Sequence, residues 1–383
     1  VGVKNTVRTF TVLSMAKRII ISTTNDISTD NRVHKVAILL LELGYEVMWV
    51  GRLLPGSAEL DRPYKTHRMR LWFKKGGLFY ANYQLALLVF LLRNRSAVLL
   101  SNDLDTLFPN YVVSRLYGSV LVYDSHEYFC GVPEIQGRWV KKVWQAVERS
   151  IFPRLKYVWT VNESIAQLYE NDYGLRPGVF RNISPMPGDF QKATRAELGL
   201  KEGVKIAINQ GSGMNVDRGL EEALEAVSSM DGWMLLLVGS GDAIGMLKDR
   251  VAAEGLENKV MFVDRVPYAK LLQYTACADV GLSLDKDTNI NYRFSLPNKL
   301  FDYLHRGVPV VSSGVVEVAR IVKGYGIGQV VDPTDIEALR EAIAKVGVNR
   351  EGYTEALAKA SAELTWERES QPLKAFYAQF LEQ

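Results

Sequence analysis

An α/β protein of two doubly wound parallel-sheet domains is what this sequence predicts, and three observations predict it. The chain has 383 residues at 48% hydrophobic content, too long for one ordinary core. Near its start a strand, a helix and a strand follow one another within about 35 residues, the unit of a parallel sheet. The same alternation restarts after Phe180–Gly188, where Pro185, Pro187 and Gly188 mark a linker.

Taken in order, Met15-Ala16-Lys17-Arg18 precedes Ile19-Ile20-Ile21, which places the first strand at Arg18–Ser22. Residues 1–14 lack an apolar h-region, so they read as an upstream extension, expected to be disordered, and not as a signal peptide. Thr23–Thr29 is expected as a polar loop. Asp30 opens a helix with Val33, Val36, Ala37, Leu40 and Leu41 on one face; Gly44 ends it, and Tyr45–Val50 is the next strand. A dinucleotide-binding turn wants Gly-x-Gly-x-x-Gly after the first strand, and its absence argues against NAD or FAD in this half.

Leu53–Met69 is polar and turn-rich. Trp72, Phe73, Phe79 and Tyr80 then interleave with Arg70, Lys74 and Lys75 and lead into a helix ending at Leu92. Such a stretch suits a membrane interface, and it equally suits core aromatics beside solvated lysines. Peripheral membrane contact through Trp72–Tyr80 therefore stands as one of two readings. Strands at Ala97–Leu100, Ser119–Tyr123 and Trp159–Val161 each deliver polar residues at their C-terminal ends. These include Asp103 and Asp105, then Asp124-Ser125-His126-Glu127, then Asn162-Glu163-Ser164. In open α/β sheets ligands bind along that edge. His126 there suits a hydrogen-bond donor or proton carrier, and it equally suits a structural histidine.

In the second half, strands are expected at Lys205–Asn209, Trp233–Val238, Val260–Val263, Asp279–Ser283 and Gln329–Val331, with a helix at Trp366–Leu381. Gln210-Gly211-Ser212-Gly213 followed by Arg218 is a candidate phosphate loop, since small residues let backbone amides approach an anion and Arg adds charge-assisted bonds. Alone it is also a plain βα turn. Leu296-Pro297-Asn298-Lys299 opens a short helix that Gly307 ends before Val308-Pro309-Val310-Val311. A lysine in a first turn is electrostatically odd, because unpaired amides already make that end positive; an anion there would account for it. Asp302, one turn on, is placed to meet ribose hydroxyls. Val266-Pro267-Tyr268 offers backbone groups or a ring edge to a base.

Composition sets the outer bounds. A net charge of +3 with Lys+Arg 46 against Asp+Glu 43 does not argue for nucleic acid. Two cysteines, Cys130 and Cys277, form no disulfide framework or zinc spacing and fit a reducing, cytoplasmic compartment. The four histidines show no metal-ligand pairing, so no metal is expected. The most apolar helix-like run, Leu85–Leu92, is far too short to span a bilayer.

Together these residues resemble the family-4 retaining glycosyltransferases of the GT-B fold, the glycosyl transferases group 1. The resemblance rests on Asp30-Asn31-Arg32-Val33, Tyr123-Asp124-Ser125-His126-Glu127, Gln210-Gly211 through Arg218-Gly219, and Val266-Pro267. Most of all it rests on Leu296–Leu304 with Gly307–Val311. It implies two Rossmann-like domains facing a cleft: residues 15–185 for the acceptor, joined by the helix 367–383 crossing back, and residues 189–366 for the donor. The donor would be a nucleotide-diphospho-sugar, UDP- or GDP-linked, and the acceptor a saccharide or lipid-linked hydroxyl in cell-surface polysaccharide or glycolipid assembly. No cofactor or metal is implied. Arg218 would hold the diphosphate with Lys299, Gly211, Ser212, Gly213 and Asn298. Asp302 would hold the ribose, and His126 would lie near the transferred sugar. His126, Arg218 and Lys299 are the catalytic candidates.

The sequence departs from that pattern in places. The first of two acidic residues eight apart falls on Phe294, leaving Asn291 or Tyr292 for the sugar, with Asp103, Asp105 and Glu127 as further acceptor or sugar contacts. The second is Asp302. Ser212 stands where a basic residue is frequent, leaving Lys299 to supply that charge, and Asn25-Asp26 occupies the usual glycine pair. A sugar-nucleotide epimerase of the same fold and a non-catalytic nucleotide-sugar-binding subunit are the alternative readings.

Overall fold

The computed structural model describes residues 17–132 and 135–381; the upstream extension expected at residues 1–14 lies outside them. A first parallel sheet contains β1 (Arg18–Asp26), β2 (Glu46–Arg52), β3 (Lys65–Met69), β4 (Val98–Asn102), β5 (Val120–Ser125), β6 (Tyr157–Thr160) and β7 (Gly178–Val179), in the spatial order β3-β2-β1-β4-β5-β6-β7. Its helices are α1 (Asn31–Glu42), α2 (Gly76–Arg93), α3 (Leu104–Tyr117), α4 (Trp139–Ile151) and α5 (Glu163–Tyr173). A second parallel sheet contains β8 (Lys205–Gly211), β9 (Trp233–Gly239), β10 (Val260–Val263), β11 (Val280–Ser283), β12 (Val310–Ser312) and β13 (Gly328–Val330), ordered β10-β9-β8-β11-β12-β13. With it go α6 (Leu220–Ser228), α7 (Ala243–Glu254), α8 (Tyr268–Cys277), α9 (Ile290–Arg293), α10 (Asn298–His305), α11 (Val316–Tyr325), α12 (Ile336–Val348) and α13 (Thr354–Glu363); α14 (Trp366–Glu369) and α15 (Gln371–Ala378) complete the chain.

Parallel strands are covered on both faces, so they read as unbroken apolar runs. Ile19, Ile20 and Ile21 in β1 and Leu235, Leu236 and Leu237 in β9 are all buried. On the second sheet the alternation of side chains divides one core from another. Ile206, Ile208 and Val310 pack with Leu300, Phe301 and Leu304 of α10 on one face; Ala207, Leu235 and Val311 pack with Leu224 of α6 and Ile343 of α12 on the other. The strand order of each sheet reverses beside its first strand, at β1/β4 and at β8/β11. Those are the switch points where the loops after the strands part and leave a crevice.

The chain forms two compact units. One comprises the residues up to Asp124, Leu155–Tyr157 and the segment from Lys374; the other comprises Ser125–Arg154 and Val158–Leu373. In the first, the phenol of Tyr45 donates to the Tyr377 carbonyl at 2.8 Å in a fully buried position, which fixes the chain's last helix there.

Three elements differ from expectation. The first strand continues through the expected loop to Asp26, because Asp26 pairs with Arg52 and the indole of Trp49 donates to Thr23. The stretch to Met69 contains an edge strand, β3, whose polar residues match its single exposed edge. The expected helix from Trp366 is broken at Ser370: Pro372, at the start of α15, has no N–H to donate to the Arg368 carbonyl, so the helical ladder is interrupted there.

Candidate functional site

The polar residues that the sequence singles out in its second half gather at the C-terminal edge of the second sheet. There β8 ends on Gly211, which is in register with Gly239 at the end of β9. Both have φ +137, and a Cβ on Gly239 would stand 1.9 Å from the Gly211 carbonyl. Only glycine permits this approach. It lets Ser240 donate to Gly211 and Met214 donate to Ser240, both at 3.0 Å, and leaves Ser212 and Gly213 exposed at the rim.

The turn before α6 is set just as tightly. Gly219 has φ +70, and a Cβ there would lie 2.4 Å from the Leu284 carbonyl. Arg218 is thereby held against the end of β11. Its Nη1 donates to Asp285 Oδ2 at 2.5 Å and its guanidinium lies over the Tyr292 ring, 3.9 Å from the centroid. Asp285 is 1% exposed and also accepts from Ser295 Oγ at 2.9 Å.

Lys299, in the first turn of α10, donates to Asn209 Oδ1 at 3.1 Å. Part of the residue meets solvent, but its ammonium is enclosed. Burial lowers its pKa, Asp285 raises it and Arg218 lowers it again. These three charges therefore feel one another: two cations and one carboxylate at the start of a helix with no acidic residue in its first turn. Asn209 Nδ2, Asp285 Oδ1 and Arg218 Nε are buried and have no hydrogen-bond partner among the described residues. Buried polar atoms are nearly always paired, so this cluster is set up for a polar ligand.

Asp302 faces inward from α10 and is 4% exposed. Its Oδ1 accepts from the Tyr268 phenol at 2.7 Å and its Oδ2 from Gln210 Nε2 at 2.9 Å; Thr275 in turn donates to Gln210 Oε1 at 2.6 Å. Burial, then the Asp302 charge, push the Tyr268 phenol well above its usual range, so it stays a donor. Val266 packs on the core beside this network, and Pro267 caps α8 ahead of Tyr268.

Asn291 and Tyr292, the sugar-contact candidates, each hold a neighbouring residue of the site. Asn291 brackets Tyr128, accepting from its N–H at 3.0 Å and donating to its carbonyl at 3.2 Å. Tyr292 supports Arg218 from below. Phe294, which replaces the expected acidic residue, offers its carbonyl to Asn162 Nδ2 at 2.8 Å. The loop carrying His126 and Glu127 is thus docked onto the α9 turn; a Cβ on Gly131 would meet Ile290 at 2.3 Å. Ser125 Oγ donates to the Glu127 carbonyl at 2.6 Å and shapes that loop further.

Asp103 and Asp105 fall in the other unit, at the end of β4. Asp105 is buried and accepts from Thr24 Oγ1 at 2.5 Å, while the Asp103 amide donates to the Asp124 carbonyl. Arg32 forms a two-point buried pair with Asp124, at 2.8 and 3.2 Å. These bonds hold Arg32, Asp105 and Asp124 in place at that sheet edge. Sequence reasoning missed Asp285 and Asn209. The signal for Asp285 was present, a carboxylate directly after the strand run Val280–Leu284.

Residues 190–363 match the family model Glycosyl transferases group 1. No curated protein matches the sequence. Among solved structures the chain is similar to sucrose-phosphate synthase from Thermosynechococcus elongatus, at 16% identity and TM-score 0.77, covering 96% of this chain and 99% of that one. It is similar to WaaG, a glycosyltransferase involved in lipopolysaccharide biosynthesis, at 15% identity and TM-score 0.73, covering 95% and 99%. It is also similar to HepE from Anabaena in complex with UDP-glucose, at 14% identity and TM-score 0.68, covering 96% and 98%. At these identities the likeness establishes the fold, GT-B, with its two parallel α/β sheets.

Proposed function

This chain belongs, through residues 190–363, to the glycosyl transferases group 1, and from that premise we propose a retaining transfer from a UDP- or GDP-linked sugar to a saccharide or lipid-linked hydroxyl in cell-surface polysaccharide or glycolipid assembly. The chain is a glycosyltransferase that takes its sugar from a nucleotide sugar. One observation carries the reading of the site: Arg218 and Lys299, with buried and partly unpaired polar atoms around them, share one edge of one sheet. Two fixed cations match the charge of a diphosphate.

In the proposed reaction the bond from the anomeric carbon to the diphosphate breaks as the acceptor oxygen bonds to that carbon from the same face. The acceptor proton leaves with the departing diphosphate. Arg218 and Lys299 stabilise the charge growing on that leaving group, and being held beforehand by Asp285, Tyr292 and Asn209 they need little reorganisation. Asp302 holds the ribose side through the network of Tyr268 and Gln210, and His126 approaches the sugar from the loop that Asn291 docks. A UDP donor is supported by the Anabaena protein, which is seen with UDP and with UDP-glucose. Cell-surface glycan assembly is supported by WaaG and by WaaB, a lipopolysaccharide outer core galactosyltransferase.

Thermal unfolding with UDP, GDP, ADP and their sugar conjugates tests the donor. A cognate nucleotide at a hundred times its Kd stabilises by about 2.7 kcal/mol. Failure of every nucleoside diphosphate to shift the midpoint at millimolar concentration would remove the proposed donor site.

A further inference from the structure

Between Asp61 and Asp103 the chain carries eight Lys and Arg and no Asp or Glu. The centre of this stretch is α2, which is apolar on two sides. Phe79, Tyr83, Leu87 and Leu91 form one stripe, buried against the first sheet. Leu78, Leu85, Val89 and Leu92 form a second stripe, spaced by seven, four and three residues, and it faces solvent, with Leu78 and Leu85 each 62% exposed. A helix that is hydrophobic all round is ordinarily buried or in contact with lipid.

The segment ahead of the helix extends the same apolar surface. Asn82 Oδ1, on the second turn of α2, accepts from the amides of Trp72 at 2.9 Å and Phe73 at 3.4 Å. That pins the segment to the helix and presents Trp72, 88% exposed, and Phe73 beside it. Arg70, Lys74, Lys75 and Arg93 frame this surface; all four are exposed, and none is in an ion pair among the described residues.

We propose that the exposed face of α2, with Trp72 and Phe73, docks in the plane of an anionic lipid surface. The buried stripe keeps the helix attached to its sheet, so the exposed stripe enters only the boundary between headgroups and acyl chains while the cations meet lipid phosphates. No helix among the described residues is long and apolar enough to cross a membrane, which fits contact from one side. Nucleic acid would use the cations and leave the leucines unexplained. A second copy of the chain would bring like charges together. The inference stands apart from the donor reading, because lipid binding is measured without nucleotide.

The test is co-sedimentation of the full chain with vesicles of phosphatidylcholine alone or with phosphatidylglycerol added, across a salt series. Binding is expected only with the anionic lipid and is expected to weaken as salt rises. Each cation near the surface is worth roughly fivefold, so Lys74→Ala with Lys75→Ala should weaken binding roughly 25-fold. Trp72→Ser and Leu85→Ser should each weaken it roughly tenfold through lost apolar burial, with an unchanged unfolding midpoint because both side chains are exposed. The proposal is overturned by absence of partition onto anionic vesicles, by partition that none of these variants changes, by a dimer that Leu85→Ser dissolves in place of lipid binding, or by capture of an oligonucleotide in its place.

Discussion

Replacing Arg218 by Ala separates what this residue does for the fold from what it does for transfer. Arg218 neutralises Asp285 at 2.5 Å, and the carboxylate is 1% exposed while the arginine side chain is 23% exposed. Removing one member of a buried pair costs about 3–5 kcal/mol; the partial exposure of Arg218, and Lys299 nearby, put this case near 3 kcal/mol. In a unit of this size that lowers the unfolding midpoint by roughly 6–12 °C. Transfer should drop by roughly 10²–10³ through lost stabilisation of the leaving group. The double variant Arg218→Ala with Asp285→Asn removes the stranded charge, so thermal unfolding should return close to the parent midpoint while transfer stays at the level of the single variant. Activity recovered in the double variant would mean that Arg218 acts only through folding. An unchanged midpoint in Arg218→Ala would refute the argument from the buried pair.

Two further predictions concern the loop beside the site. Asn291→Ala removes both hydrogen bonds to the Tyr128 backbone; it should lower kcat roughly tenfold or more through misplacement of His126, with nucleotide affinity by titration calorimetry nearly unchanged. A large loss of nucleotide affinity would instead place Asn291 on the donor. Glu148, fully buried beneath the same loop, accepts from the Tyr173 phenol at 2.8 Å, and burial raises its pKa above the ordinary value of 4.5. A carboxyl raised in the folded state binds more protons folded than unfolded, so its contribution falls as pH rises from 4.5 toward the folded value and is constant beyond it. Glu148→Gln should therefore gain stability relative to the parent across that window, read from paired urea titrations; a pH-independent difference would contradict it.

Much of the fold was legible in the sequence because parallel strands buried on both faces have to be apolar throughout. Ile19-Ile20-Ile21 and Leu235-Leu236-Leu237 could be read as such directly. The glycines were legible for a similar reason: Gly239 and Gly219 stand where a side chain would strike backbone. The edge strand β3 was not, since a polar strand open on one side has the composition of a loop. The break at Ser370 has its signal in Pro372.

For the candidate site, the sequence by itself determined which chemistry is present. Cations at Arg218 and Lys299, an acid at Asp302 and small residues between them are local facts, fixed by strand ends and helix starts. Tertiary structure alone decided how those groups are used. It paired Arg218 with Asp285, 67 residues away, and joined Asp302 to Gln210, 92 residues away. It also brought Asn291 onto the backbone of Tyr128, 163 residues distant. Side-chain hydrogen bonds act over about 3 Å with fixed directions, so a partner is set by which strands lie side by side, and no local pattern in the chain encodes that.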